Sequence, residues 1–286
     1  MRYRFIKDNL RQFHVATMCR VLEVSRSGFY AWLKGSSSER QRANDRLLRE
    51  IVRVHRRSRK TYGCRRVYWE LRSEGQTCSR NRVARLMSGY GLRAKTSRKF
   101  RATTNSKHSL PVAPNLLDRQ FAANAPNRAW VSDITYIPTE EGWLYLATVM
   151  DLYSRKLVGW SMDERVTREL AIDALRMAIR QRKPAAGLLH HSDRGVQYAS
   201  NDYQKLLSQH EMICSMSRKG DCWDNAPMES FYGSMKTECT HHRHYHSRSE
   251  AKRDVSYYIE IFYNSERRHS TLGYRSPAMF ELLQAA

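Results

Sequence analysis

The order of secondary structure after residue 121 restricts the fold of this chain more than any other feature. Apolar β-rich runs come first, and helical segments then alternate with single strands. This order predicts an α/β domain with a mixed sheet flanked by helices. The predicted strands are Trp130–Ile137, Trp143–Asp151, Lys156–Ser161, Leu188–His191 and Met212–Met216. The predicted helices are Thr167–Arg182, Asp202–Gln209, Asn225–Cys239 and Ser247–Tyr263, and Ser247 and Glu250 form a predicted capping box at the start of the last one.

The charge of the chain indicates a polyanionic partner. Fifty Lys and Arg residues outnumber 28 Asp and Glu residues, for a formal net charge of +22. Basic side chains gain affinity by displacing the counterions that condense on phosphates. The sequence contains no apolar run of about 18 residues and no apolar signal-peptide core. Nucleic acid is therefore favoured over a membrane surface.

The segment Val15–Leu33 predicts two short helices around a tight turn. Ser25 can cap the second helix, which places Arg26 and Ser27 at its exposed start. This is the arrangement of a helix-turn-helix, in which these two residues would contact DNA. An ordinary helical hairpin is the alternative. The predicted buried positions are Met18, Val21, Leu22, Phe29, Trp32 and Leu33.

A second helical unit carries outward-facing arginines. Two helices over Leu47–His55 and Tyr62–Arg72 precede a third, which Ser79 can cap and Gly89 can end. This unit also resembles a helix-turn-helix module. The predicted inward residues of the third helix are Val83, Leu86 and Met87, and the candidate DNA contacts on its other side are Arg80, Arg82 and Arg85.

The segment 96–114 is polar, basic and aperiodic and then contains two prolines, as is typical of a linker. We therefore expect four regions. They are an N-terminal helix-turn-helix-like segment over 1–40, a second helical DNA-binding domain over 41–100, a linker over 101–120, and an α/β domain with a C-terminal helix over 121–286.

Three carboxylates lie on separate predicted elements. Asp133 interrupts a strand that is otherwise suited to burial, and Asp193 follows the end of another, where Gly195 is expected to permit a sharp turn. Glu229 lies on a helix with an apolar opposite face, which Asp224 or Asn225 is expected to cap. Carboxylates gathered in this way bind hard divalent cations, which can activate a nucleophile in phosphodiester cleavage. Each aspartate taken singly also fits a turn or cap.

Long stretches of the chain resemble one family. Asp193 and Glu229 are separated by 35 residues, as in the DD(35)E pattern of retroviral-type integrases and related bacterial transposases, and Lys236 matches their basic residue seven places later. The surrounding sequence is similar to the second-reading-frame (OrfB-type) transposases of the insertion sequence three family. The motifs that carry this resemblance are MCRVLEVSRSGFYAW, YGCRRVYWELRSEG, GLRAKTSRKF, WVSDITYIPTEEGWLYLATVMDLYSRKLVGWSM, LLHHSDRGVQYAS, SMSRKGDCWDNAPMESFYGSMKTE and YNSERRHSTLGYRSP.

The resemblance implies an RNase H-like catalytic core and a DDE transposase, a polynucleotidyl transferase. Asp133, Asp193 and Glu229 would bind two Mg²⁺ or Mn²⁺ ions and cleave DNA at element ends. A freed 3′-hydroxyl would then attack DNA, and a circular intermediate would later integrate. The implied partners are terminal inverted repeats, target DNA, further copies of the chain, and an upstream-frame (OrfA-type) protein joined by frameshifting. The implied location is the bacterial cytoplasm, at the nucleoid.

Further basic and polar residues are candidate DNA contacts beside the triad. Lys219 precedes the Glu229 helix in a predicted mobile loop that could contact DNA, and a solvated loop is the alternative for it. Asn225 fits a cap as well as a substrate contact. The other candidates are Arg194, Lys236, Arg267, Arg268 and His269.

The tract from His241 to His246 has the composition of a metal site. The sequence shows no cysteine or carboxylate pattern that completes it, so an exposed loop facing DNA is the preferred interpretation. The six cysteines have no zinc-ribbon or finger spacing and are expected to be reduced.

Two other functions are compatible with this sequence. A structure-selective nuclease would use the triad for hydrolysis alone, and joining of DNA ends would distinguish a transposase from it. A silent DNA-binding regulator would lack at least one carboxylate, whereas all three are present. Strand transfer by a transposase is therefore the preferred function.

Overall fold

The computed structural model describes residues 1–35, 38–95, 111–218 and 221–285. The N-terminal unit contains helices α1 (Arg2–Asp8), α2 (Val15–Val21) and α3 (Arg26–Leu33). Ser25 caps α3, because its hydroxyl accepts a hydrogen bond from Gly28 N at 3.0 Å. The buried residues of this unit are Ile6, Met18, Cys19 and Phe29.

Part of the predicted buried face of this unit is wrong. Val21, Trp32 and Leu33 are 73%, 43% and 40% exposed. Helix α1, which the sequence analysis did not predict, covers only one side of the pair formed by α2 and α3. Helices of two turns bury a narrow stripe, so their remaining apolar residues stay at the surface.

The second helical unit contains α4 (Glu39–Arg57), α5 (Cys64–Ser73) and α6 (Arg80–Gly89). The predicted cap of α6 is confirmed, because Ser79 Oγ accepts from Arg82 N at 3.3 Å. Val83 and Met87 are buried, and Leu86 is half-buried against them. Residues 101–110 of the predicted linker lie outside the described residues. Leu117, near the end of the linker, is buried.

A five-stranded mixed sheet forms the centre of the α/β domain, as predicted. The strands are β1 (Ala129–Thr139), β2 (Gly142–Asp151), β3 (Leu157–Asp163), β4 (Leu189–Ser192) and β5 (Ile213–Met216). Their spatial order is β3-β2-β1-β4-β5. The first three strands are antiparallel neighbours, whereas β1 pairs with β4, and β4 with β5, in parallel.

Both faces of the sheet are covered, so its strands alternate between two apolar cores. Trp130 packs beneath α7 (Arg168–Arg182) and α9 (Asn201–Gln209), and its neighbour Val131 packs on the opposite face. Helix α8 (Val196–Ala199) lies between β4 and α9. A sheet buried on both faces has apolar runs in place of strict alternation, which agrees with the composition of these strands.

The opposite face carries α10 (Ala226–Glu238) and α11 (Arg248–Tyr257). Helix α12 (Pro277–Ala285) packs its Phe280 ring against Tyr153 of the turn between β2 and β3. Short 3₁₀ turns lie at Cys222–Asn225, Thr240–His242 and Ser270–Leu272. The helix predicted to run to Tyr263 becomes a π-helix over Tyr258–Glu266. Its Asn264 side chain makes two hydrogen bonds of 3.0 Å with the backbone of Leu157 and so continues the pairing at the edge of β3.

Predicted capping at the start of α11 is confirmed with one change. Ser247 Oγ accepts from Glu250 N at 3.1 Å, and the Glu250 carboxylate accepts from His246 N at 3.0 Å. The return bond of the capping box therefore goes to the residue before the cap.

The second helical unit and the α/β domain share one apolar core. Leu47, Ile51 and Val67 belong to the same cluster as residues of α10 and the π-helix. Polar contacts join the two parts as well, since Tyr62 Oη donates to Glu266 O at 3.2 Å and accepts from Arg268 N at 2.9 Å. Among the described residues, no helix is long and apolar enough to cross a membrane.

Gly159 permits a close approach of α7 to β3. A Cβ at this position would lie 2.2 Å from Ala174 O and 2.7 Å from Ala178 N, both backbone atoms. We expect Gly159→Ala to lower the free energy of unfolding by about 1–3 kcal/mol, because the helix must move away from the sheet. Urea unfolding would measure this. The control is Gly233→Ala at an exposed helical position with open space, which should be neutral or stabilising; equal losses in both variants would contradict the explanation.

Candidate active site

The parallel pairing of β1 with β4 brings two carboxylates together. Val131 is paired with His191, and two residues further along each chain lie Asp133 and Asp193. Adjacent strands are about 4.8 Å apart, so the two residues are neighbours at the edge where β4 ends. Asp133 is also paired with Thr148 of β2, which fixes it in the middle of the sheet.

The Asp193 side chain is held by the turn that follows β4. Its Oδ1 accepts a hydrogen bond from Gly195 N at 2.8 Å. The expected reason for Gly195 is wrong, because its φ of −61° is accessible to any residue. The absence of a side chain instead provides room, since a Cβ at Gly195 would lie 2.9 Å from Asp193 Oδ1.

Helix α10 supplies Glu229 from its first turn. The start of the helix is attached to β1, because Asn225 Nδ2 donates to Ser132 O at 3.2 Å. One turn after Glu229, Tyr232 Oη donates to Asp133 O at 2.6 Å and lies 2.8 Å from Thr148 Oγ1. These contacts hold the first turns of α10 against β1, and the charge of the exposed Glu229 acts on Asp133.

The three carboxylates influence one another electrostatically. Burial raises the pKa of Asp133 well above its ordinary value, and the negative charges of Asp193 and Glu229 raise it further. Asp133 Oδ1 accepts from Ile134 N at 2.8 Å, which opposes this increase, as does the charge of Lys236. Such a concentration of negative charge and oxygen ligands suits a hard divalent cation such as Mg²⁺.

Two buried polar atoms near the carboxylates have no hydrogen-bond partner within the described residues. They are Asn225 Oδ1 and Tyr198 Oη. Burial raises the pKa of Tyr198, and the charges of Tyr203 and Asp133 contribute. Buried polar groups normally have partners. Their presence fits a site that accepts additional polar ligands such as metal-bound water.

Lys236 lies inside the site, which is not the surface position of a simple phosphate contact. It is 7% exposed, and its Nζ lies 4.8 Å from the centroid of the Tyr136 ring. Burial lowers the pKa of Lys236, and the Asp133 charge opposes that change. The residue shares a face of α10 with Glu229, as its spacing predicted.

Asp224 has a structural role that was not predicted from the sequence. Its buried carboxylate accepts hydrogen bonds from Arg218 Nη2 at 2.7 Å, Arg119 Nε at 3.0 Å and Asn115 Nδ2 at 2.9 Å. The Arg218 hydrogen bonds lower the pKa of Asp224. Asn225 occupies the N-cap position of α10, but the expected side-chain cap is wrong, because neither Asp224 nor Asn225 makes one. The Asn225 amide donates to Ser132 O, and Asp224 ties the chain before the helix to Asn115 and Arg119.

Three family models match successive parts of the chain. An HTH-like domain matches residues 42–100, and integrase core domains match residues 123–222 and 210–277. The second and third models cover the strands and helices that carry the three carboxylates.

Similar proteins cover almost the whole chain. Transposase InsF for insertion sequence IS3A from Escherichia coli (strain K12) is 46% identical over 98% of this chain and 98% of its own length. The insertion element IS600 uncharacterized 31 kDa protein from Shigella sonnei is 53% identical over 92% of this chain and 97% of its own length. The chain belongs to the insertion sequence three family of transposases. It is a DNA transposase and a DDE-type polynucleotidyl transferase, and neither alternative function is favoured.

The RNase H-like α/β core of this transposase, preceded by helical units, is as predicted. Solved structures with some similarity include an intasome of simian T-cell lymphotropic virus with the PP2A regulatory subunit B56 gamma. It has 13% identity and a TM-score of 0.45, over 81% of this chain and 74% of the other. The HTLV-2 integrase catalytic core domain in complex with magnesium has 15% identity and a TM-score of 0.41, over 55% of this chain and 98% of the other.

Two candidate DNA contacts of the transposase lie near the carboxylates in sequence. Arg194 Nε donates to Ser217 O at 2.6 Å, which ties the turn after β4 to the end of β5. Lys219 lies outside the described residues.

The expected phosphate contacts at Arg267 and His269 do not fit this structure. Arg267 is 4% exposed and pairs with both oxygens of Glu238, at 2.7 and 2.8 Å. His269 Nε2 lies 3.2 Å from Arg267 Nη1, and its ring packs against Tyr263. The run of basic residues after a helix suggested an exposed surface. The charge of Arg267 is instead neutralised by the buried Glu238 of another element.

Arg268 joins the transposase core to the second helical unit. Its guanidinium pairs with Glu70 of α5 and donates to Tyr274 O at 2.7 Å. Because the Arg268 guanidinium makes these contacts within the chain, it holds two parts of the protein together and has little capacity left to bind phosphate.

The helix-turn-helix candidates lie at the surface. Arg26, Ser27, Arg80 and Arg85 are exposed, as expected. Arg82 is half-buried, and its Nε donates to Asn44 Oδ1 at 2.9 Å. DNA contact by these residues stays a prediction.

The space at Gly195 leads to a prediction about activity. In Gly195→Ala the new Cβ would displace the Asp193 carboxylate, a flexible group, so stability should change by less than about 0.5 kcal/mol. Displacement of Asp193, a candidate metal ligand, should reduce metal-dependent cleavage by about tenfold to a hundredfold. Cleavage of labelled DNA and urea unfolding would measure the two effects. Full activity in a stably folded Gly195→Ala would contradict the assigned purpose of the glycine.

The environment of His269 predicts a dependence of stability on pH. Burial, followed by the charges of Arg267 and Arg66, lowers its pKa from 6.5 to about 2. Below pH 6.5 the unfolded chain therefore binds a proton that the folded chain does not, and stability falls as pH falls. Between about pH 7 and 5.5 this residue should cost about 1 kcal/mol. Urea unfolding should show a smaller loss for His269→Gln than for wild type or the exposed control His210→Gln; identical slopes would contradict this.

Proposed function

We propose that Asp133, Asp193 and Glu229 are the catalytic residues with which this transposase cuts and joins DNA. The observation that carries the proposal is the pairing of β1 with β4, which sets Asp133 beside Asp193. Glu229 completes the site because Asn225 and Tyr232 attach the first turns of α10 to β1. The relatives that are transposases of insertion sequences IS3A and IS3B support the reaction class.

The three carboxylates would hold two divalent cations, Mg²⁺ or Mn²⁺. Support comes from the all-oxygen ligand set and from the pKa of Asp133, which the neighbouring carboxylates raise. The similar HTLV-2 integrase core was solved with magnesium. Bound cations at such a site activate an attacking hydroxyl and stabilise the leaving oxygen in an in-line displacement.

The residues around the triad have separate parts in this proposal. Asn225 fixes the start of α10 and leaves its Oδ1 available in the buried site. Lys236 reduces the repulsion felt by Asp133 from within the site. Arg194 keeps the Asp193 turn attached to β5. The carboxylates themselves stay at a partly exposed edge, where a DNA strand can reach them.

DNA at the element ends would be bound by the helical units. Arg80 and Arg85 are exposed on α6, and Arg26 and Ser27 are exposed at the start of α3. An insertion sequence has two ends and each chain has one triad, so we propose at least two copies in the active assembly. We also propose that the active assembly includes an upstream-frame partner, supplied separately or as a frameshift fusion. The transposase would act at the bacterial nucleoid.

Strand transfer by purified protein tests the proposal. Wild type, Glu229→Gln and the exposed control Glu260→Gln would be incubated with labelled element-end duplex and Mg²⁺ or Mn²⁺. The amide cannot neutralise a cation, so Glu229→Gln should lose joined product by about a hundredfold or more while still binding DNA. The control should match wild type.

Retained joining by Glu229→Gln would remove this residue from the triad. If wild type binds DNA but forms no product, the assay should be repeated with the frameshift fusion. Product from the fusion alone would establish the need for the upstream-frame partner, and its absence there too would refute the proposed catalysis.

A further inference from the structure

A second group of metal-ligating side chains lies away from the carboxylate triad. Glu140, at the turn between β1 and β2, is beside His244 and His246, which precede α11. One ligand atom from each of the three residues lies within 4.8 Å of the others. No cysteine or carboxylate pattern near the histidine tract in the sequence completes a metal site. The fold supplies that carboxylate from a distant part of the chain.

The backbone around the group is held in place by contacts that do not involve the ligands. Tyr245 is 2% exposed, and its hydroxyl donates to Asp254 Oδ2 at 2.7 Å. Its carbonyl oxygen accepts from Glu140 N at 3.0 Å. Because Tyr245 is anchored in the core, its two neighbours His244 and His246 both project to the surface, where they are exposed.

The side chains already have a chelating arrangement. His246 Nδ1 lies 3.0 Å from Glu140 Oε2, and His244 Nδ1 lies 3.5 Å from Glu140 Oε1. The two imidazole rings are 5.6 Å apart between centroids. A metal ion can bind between these same ligand atoms.

We infer that Glu140, His244 and His246 form a surface site for a first-row transition-metal dication, represented by Zn²⁺. Two imidazole nitrogens and one carboxylate are a known ligand set for zinc, with the fourth position left to water. Imidazole selects such metals over Mg²⁺, which prefers oxygen. This site therefore differs in chemistry from the all-carboxylate triad.

A bound ion would connect two segments that are distant in the sequence. One is the turn that joins β1, the strand of Asp133, to β2. The other leads into α11, whose Arg248 N donates to Glu141 Oε2 at 2.8 Å in the same region. Because such an ion binds the folded chain and cross-links it, it should raise the thermal midpoint of unfolding.

Calorimetric titration of Zn²⁺ into the full chain tests the inference. Saturating Mg²⁺ would be present throughout, so that the triad is occupied by a hard cation. The variants are His244→Gln, His246→Gln and Glu140→Gln. The matched control is His242→Gln, an exposed histidine of the same tract that is outside the group. All four positions are exposed, so each variant should fold like the wild type, which thermal unfolding without zinc would verify.

Wild type and His242→Gln should bind one Zn²⁺ that each of the three ligand variants loses or binds at least about tenfold more weakly. The same two proteins should gain thermal stability from Zn²⁺, and the ligand variants should not. Equal zinc binding by all five proteins would overturn the inference. So would an absence of zinc binding by wild type, since the group would then be a pair of histidine–carboxylate ion pairs only.

Discussion

The parallel ladder between β1 and β4 is the contact on which the active centre depends. Its three residue pairs end at Val131 and His191, two residues before the two aspartates. A shift of one residue in this register would send one aspartate to the opposite face of the sheet. The register is secured because Trp130 and Val131 pack into different apolar cores, so both faces of β1 resist sliding. The proposed metal site is therefore a consequence of core packing.

Helix α10 connects the active centre to the second helical unit. Its first turn carries Glu229, and its last residue, Glu238, is buried against Arg267 and Arg66. Arg66 belongs to α5 of the second helical unit, so one helix has the candidate catalytic carboxylate at one end and a contact with that unit at the other. Ion pairs of this kind contribute little net stability after desolvation, but leaving one partner unpaired is costly. They consequently favour one relative placement of the two units.

Much of the fold and of the proposed triad could be predicted from local sequence. Apolar periodicity predicted the strands, and the hydroxyl caps at Ser25, Ser79 and Ser247 were correct because capping depends on neighbouring residues only. Arg267 was misassigned for the opposite reason. Its partner Glu238 comes from another element, and nothing near Arg267 in the sequence indicates burial. The same limit applies to Glu140, whose contact with His246 depends on how a hairpin turn meets a distant loop.

The sequence by itself determined the alternation of strands and helices, the basic charge, the helix caps, and three carboxylates whose spacing and surroundings identify a DDE transposase family. These properties follow from residue type and short-range periodicity, which the chain carries before it folds. Only the tertiary structure decided which charges are paired and which remain at the surface. It also determined that a side chain at Gly195 would meet the Asp193 carboxylate, and that Glu140 is the acid beside the histidine tract. Each of these depends on distances between residues far apart in the chain, and only the packing of the two cores sets those distances.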